Sequence, residues 1–136
     1  MNFLKNILLI IILVLAGCKS QQGNQSVSEE QLVNKIETKL GENPILINNF
    51  DASFVLAYLE DKSNGTLVVR FGVWVISTGE LIYAGTAMRG KVEWLDNESL
   101  LVEDYPGIVD ENNPVAKFKI DLKTKIKTPL HEKKDL

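Results

Sequence analysis

Residues 66–77 read Thr66-Leu67-Val68-Val69-Arg70-Phe71-Gly72-Val73-Trp74-Val75-Ile76-Ser77, and this stretch decides the fold class. Successive side chains of a strand point to opposite faces. Leu67, Val69, Phe71, Val73 and Val75 therefore form one row, and Val68, Arg70, Gly72, Trp74 and Ile76 form the other. Both rows are substantially apolar, the pattern of a central strand covered on two sides. Gly72 marks a bend, a bulge or a close contact within it.

Working outward, the Asn64-Gly65 pair just before this strand suits a tight hairpin, and residues 52–60 ahead of it form an apolar and aromatic strand. Thr78-Gly79 turns the chain into further strands at 80–87, 90–95, 99–105 and 116–122. In the last of these, Ala116, Phe118, Ile120 and Leu122 alternate with Lys117, Lys119, Asp121 and Lys123, so one face is buried and the other wet. The expectation is a mainly β (α+β) domain: an antiparallel meander of about six strands spanning residues 52–123. A helix near 28–41 is expected to pack on this sheet. Ser28 and Gln31 have the spacing of a capping box, Glu29 and Glu30 suit the positive helix end, and Gly41 ends it. Leu32, Val33, Ile36 and Leu40 form its apolar stripe. Residues 129–136 are polar and read as a frayed tail.

The N-terminus carries a different signal. Residues 7–16 have no polar side chain, Lys5 precedes them, and the run ends in the small residues Ala16 and, next, Gly17, which is the plan of a secretory signal peptide over residues 1–17. The run is too short for a spanning helix, which needs roughly 20 apolar residues. With Leu15-Ala16-Gly17-Cys18 the chain resembles bacterial lipoproteins at their lipobox. That resemblance implies cleavage between Gly17 and Cys18, and attachment of diacylglycerol to the Cys18 sulfur. It also implies a cell-envelope location, anchored to the membrane by lipid. Lys19, in place of an aspartate after the cysteine, implies the outer membrane rather than the inner where the host has two. Residues 18–27 then form a polar tether, and residues 28–136 a single globular domain. The order of signal, lipobox, tether and small sheet also resembles small envelope lipoproteins without an assigned activity. Within the body, the segment from Val92 to Leu122 resembles one blade of a β-propeller, although the chain holds strands for about one and a half blades.

Composition narrows the function. The 136 residues carry a formal charge of −3, and losing residues 1–17 removes one lysine and no acid, giving −4. No cationic excess exists for neutralising phosphates, so nucleic acid is not an expected partner. One cysteine and one histidine, His131, exclude an intramolecular disulfide and a His/Cys metal centre, and no cofactor is expected.

Between Val92 and Ala116 lie seven acids and no Lys or Arg, and the segment beyond reverses the sign. Glu103 and its neighbours are expected to face lysines of strand 116–122 across the ladder. The alternative is a loop in which Asp104, Asp110, Glu111 and Asn112 attract a cation or a basic partner, although the spacing departs from an EF-hand. Trp74, Trp94, Tyr58, Tyr83 and Tyr105 are expected mainly as packing residues, with a ligand patch as the other reading. No catalytic residue is assigned. The expected function is a non-catalytic binding or structural module recognising an envelope protein, peptide or glycan. The alternative is a small lipid-anchored hydrolase or enzyme inhibitor using the acidic loop at 103–112. Partner exchange through an unpaired sheet edge, at strand 52–60 if the helix leaves it open, is a third reading.

Overall fold

The computed structural model describes residues 26–105 and 116–130. The signal peptide, the lipobox with Gly17 and Cys18, the tether up to residue 25, and Asp110, Glu111 and Asn112 lie outside the described residues. The first element is α1 (Glu29–Leu40). Ser28 caps it: its hydroxyl accepts from the Gln31 N–H, while the Gln31 side chain accepts from the Ser28 N–H. Gly41 closes the other end with its N–H on the Glu37 carbonyl.

Eight strands follow: β1 (Ile45–Asn48), β2 (Phe54–Asp61), β3 (Val68–Val75), β4 (Leu81–Met88), β5 (Lys91–Asp96), β6 (Ser99–Asp104), β7 (Ala116–Asp121) and β8 (Lys127–Leu130). They form two four-stranded antiparallel sheets, β1-β2-β3-β4 and β5-β6-β7-β8, each in chain order. The expectation of about six strands in one meander is corrected on two counts. Two short strands are added at the ends, and the meander is split between β4 and β5. The strand β1 has four residues, too few to register as an alternating pattern. The strand β8 contains Pro129, which normally argues against a strand, but β8 closes its sheet, and an edge tolerates a proline. Pro129 and Leu130 thus belong to the sheet rather than to a tail, and residues 131–136 lie outside the described residues.

The split creates the core. Leu56, Val69, Phe71, Val73 and Ala87 from the first sheet are buried in one cluster with Val92, Leu100, Val102 and Ile120 from the second. On the opposite face of the first sheet, Leu32, Ile36 and Leu40 of α1 share a cluster with Val55, Ala57 and Trp74. The two rows of β3 thus serve two cores. Gly72 is a close contact: a Cβ there would lie 2.7 Å from the Trp74 ring, which rests on that open position.

The split is made at Met88 to Lys91. Arg89 takes a left-handed conformation (φ 52°), and its N–H donates to the Leu67 carbonyl at 2.7 Å. The Met88 N–H donates to the Asp104 carboxylate at 2.9 Å, and the Tyr105 N–H donates to the Met88 carbonyl at 2.8 Å. Gly90 then passes so close to β6 that a Cβ would lie 1.7 Å from the Glu103 carbonyl oxygen. Only a residue without Cβ lets the two sheets meet there. Farther along, the Trp94 indole N–H donates to the Ile47 carbonyl at 2.9 Å, tying the second sheet to β1.

Gly90→Ala is expected to destabilise the domain by about 3 kcal/mol or more, because backbone must move. Gly65→Ala, where φ is +75° and no atom lies within 4 Å of the added Cβ, costs about 1 kcal/mol from the left-handed backbone alone. Urea unfolding of the two variants checks the order.

Candidate functional site

The acidic stretch is consumed largely by structure. In the register, Glu103 faces Lys91 on β5 and Lys117 on β7, with charged groups 3.8 and 3.9 Å apart. Lys91 also meets Glu93 at 3.4 Å, and Lys119 meets Asp96 at 3.6 Å. Such exposed pairs contribute under about 1 kcal/mol each and mainly set register. Asp104, the one member of the proposed acidic loop within the described residues, holds the Met88 N–H and so pins the sheet junction.

Three further aspartates close turns. Asp51 accepts from the Ser53 N–H at 3.0 Å and from the Ser53 hydroxyl at 2.6 Å. Asp121 accepts from the Thr124 N–H at 2.7 Å and its hydroxyl at 2.9 Å. Asp96 accepts from the Glu98 N–H at 2.9 Å. All three carboxyls lie below the usual 3.8: the Ser53 hydroxyl leads at Asp51, the nearby Ser99 hydroxyl followed by the Glu98 N–H at Asp96, and the Thr124 N–H at Asp121. Asp96, Asn97, Glu98, Ser99, Lys119 and Asp121 line a depression of about 410 Å³ at this end of the second sheet. Among the described residues no three Asp, Glu, His or Cys side chains are arranged to hold a metal ion.

The aromatic side chains separate. Trp74 lies in the cluster under α1, whereas Tyr58, Tyr83 and Trp94 pack against the core between the sheets. Tyr83 stacks on Phe71 with ring centroids 6.1 Å apart. Their arrangement serves packing on two sides of one sheet rather than a shared patch.

The feature with the character of a binding surface is elsewhere, where α1 leaves β1 uncovered. A groove of about 500 Å³ opens between them, with Leu32, Val33, Ile36, Leu46, Val55 and Ile76 among its lining residues and Glu29 and Asn48 at its polar margin. Val33, expected in the helix core, lines this groove instead and is only partly buried. The adjoining strand presents Ile45, Leu46 and Ile47 at 49, 42 and 40% exposure, and Phe50 follows at 78%. Over Val55 to Tyr58 the strand expected at 52–60 is not the open edge, because β1 pairs with those residues and is itself the edge there.

Asn49, at the end of β1, was given no role by sequence reasoning and holds this corner. It is 5% exposed; its amide donates to the Ser53 hydroxyl at 3.1 Å and to the Asn97 carbonyl at 3.0 Å, and its side-chain oxygen accepts from the Phe54 N–H at 3.0 Å. Nothing in the Asn48-Asn49 pair separates the two residues in sequence, since Asn97 is 48 positions away. No family model, curated protein or solved structure matches the chain.

The three lowered carboxyl pKa values carry a sign. Each group is ionised in the folded state at a pH where the unfolded chain has begun to bind protons. Their stabilisation is therefore complete above the ordinary value of 3.8 and is lost as pH falls through the lower folded values. The urea midpoint is expected to decline below pH of about 4, and Asp96→Asn to flatten that decline; an unchanged slope in the variant contradicts the assignment.

Proposed function

We propose that this chain is a lipid-anchored protein of the bacterial cell envelope whose sheet domain acts as a non-catalytic binding or structural module. The observation that carries the reading is the lipobox Leu15-Ala16-Gly17-Cys18 directly after an apolar run with Lys5 ahead of it. The arrangement also gives the single cysteine a use, since a free thiol would be a reactive liability in an exported protein. One acyl chain anchors marginally, whereas the two chains of a diacylglycerol hold firmly at about 0.8 kcal/mol per buried CH₂. No helix among the described residues is long and apolar enough to cross a membrane.

Two features of the body support a binding role over a catalytic one. Asp51, Asp96 and Asp121 are tied to backbone N–H groups in turns and held below the usual carboxylate range, which ill suits a proton donor. Among the described residues, four of the eight exposed large apolar side chains, Ile45, Leu46, Ile47 and Phe50, lie along the β1 edge and its end beside α1. In this reading α1 is a fixed cover of the first sheet: Ile36, fully buried, anchors it, and the Lys35 ammonium donates to the Thr78 carbonyl at 3.3 Å.

Cys18→Ser is expected to accumulate as unprocessed precursor that incorporates no labelled palmitate, while the unaltered chain is labelled and shortened. Palmitate incorporation into the variant at the level of the unaltered chain contradicts the anchor.

A further inference from the structure

The described chain enters the fold at one end of the two sheets, and the turns that meet there are bonded to one another. The Val27 N–H donates to the Ser77 carbonyl at 3.0 Å, and the Ile76 N–H donates to the Ser53 carbonyl at 3.0 Å. Asn49, in the same connection as Ser53, donates to the Asn97 carbonyl of the second sheet, and the Leu122 N–H donates to the Glu98 carbonyl at 2.9 Å. The sheet junction at Met88 lies at the other end, since β4 runs from Leu81 to Met88 over eight residues or about 26 Å. Phe50 and Ile126, at 78 and 59%, are the two most exposed large apolar side chains among the described residues. Both belong to the near end: Phe50 lies between Asn49 and Ser53, and the Ile126 carbonyl accepts from the Asp121 N–H.

Positive charge gathers at the same end. Residues 116–130 hold five lysines and one acid in a chain of formal charge −3. Lys117 and Lys119, along the strand, meet Glu103 and Asp96. Lys123 and Lys125, in the turn between β7 and β8, are exposed and form no ion pair with a described acid. Lys127 follows, its ammonium 3.7 Å from the centre of the Phe118 ring. Beneath this turn the two sheets leave a cavity of about 290 Å³, with Phe54, Ile82 and Leu122 as its apolar lining, Lys123 and Lys125 at its mouth and Glu98 beside them. We propose that this end of the domain rests on an anionic lipid bilayer, with Phe50 and Ile126 in the interfacial region and Lys123 and Lys125 on the lipid phosphates.

A bilayer surface matches these features together, because interfacial binding joins apolar burial with attraction of cations to anionic lipid. A free phosphate or a nucleic acid would neutralise the lysines and leave both apolar side chains in water. The place of chain entry selects the bilayer over a foreign protein, and in this the proposal rests on the lipid anchor read at Cys18. Nine residue steps from Cys18 to Val27 span at most about 30 Å in any conformation. With the near end down, that length is ample. With the Met88 end down, Val27 stands about 26 Å above the surface and the nine steps must run almost straight. Glu29, Glu30 and Glu80 lie at the near end on the side of α1 and the first sheet, and an anionic surface repels them. The contact therefore tilts toward the second sheet and its lysine turn.

The test uses the full-length chain, purified from membranes and placed in vesicles of equal parts phosphatidylglycerol and phosphatidylethanolamine. Phe50→Cys, Ile126→Cys and, at the far end, Lys62→Cys each carry a nitrobenzoxadiazole label, and quenching by nitroxide lipid reports contact with the bilayer. Each of the first two variants keeps the other's apolar side chain. Quenching at positions 50 and 126 is expected to exceed that at 62 at least threefold. At 126 it falls at least twofold in phosphatidylcholine vesicles, and as much when Lys123→Glu and Lys125→Glu are added, with protease resistance unchanged. An acylated Cys18 takes no thiol label, so label on the unaltered chain counts against the anchor alone, and the positions are then compared above that background. Quenching at 50 and 126 no greater than at 62 overturns the proposal, as does quenching at 126 that neither neutral lipid nor charge reversal lowers. Shielding of both positions from label in whole envelopes, without quenching in vesicles, assigns the surface to a protein and overturns it too.

Discussion

The fold depends on one close approach, the passage of Gly90 against the Glu103 carbonyl. A chain of antiparallel strands joined by short turns would otherwise extend as a single sheet, leaving one face of each strand in need of cover. By leaving β4 through a left-handed Arg89 and sliding Gly90 under β6, the chain lays its second half over its first. That step brings Leu56, Val69, Phe71 and Val73 of the first sheet into one buried cluster with Val92, Leu100, Val102 and Ile120 of the second. The Asp104 carboxylate and the Tyr105 N–H lock it by taking both backbone groups of Met88, so an acid that looks in sequence like part of a loop is the clasp of the two layers.

What was legible in the sequence follows from where the information is local. The strand β3 announces itself because its two apolar rows lie within eight residues, and both rows meet the covers that their composition demands. The capping box at Ser28 and the lysine ladder opposite Glu103 are likewise set by short spacing or by neighbouring strands. The division into two sheets was not legible, because an arginine carries no sign that it will adopt φ of 52°, and the need for glycine at position 90 arises from an atom of residue 103. The strand β1 was missed for lack of length, and β8 because a proline rule for sheet interiors does not bind at an edge.

The same reasoning separates the candidate sites. Of the acids between Val92 and Ala116 that lie within the described residues, Glu93 and Glu103 go to ladder pairs, Asp96 to a turn and Asp104 to the sheet junction. The exposed apolar residues that do gather come from a stretch with little sequence signal, Asn43 to Phe50, and their significance comes from the helix that stops short of covering them.

The central claim is that two layers are clasped at Met88, and amide hydrogen exchange followed by nuclear magnetic resonance tests it most directly. The account predicts that the N–H groups of Met88, Arg89 and Tyr105, although they lie at a strand end and beside a turn, exchange as slowly as those of Val69 and Leu100 in the core, through global unfolding alone. Exchange of these three amides at the rate of an open turn, with the core amides still protected, would contradict it.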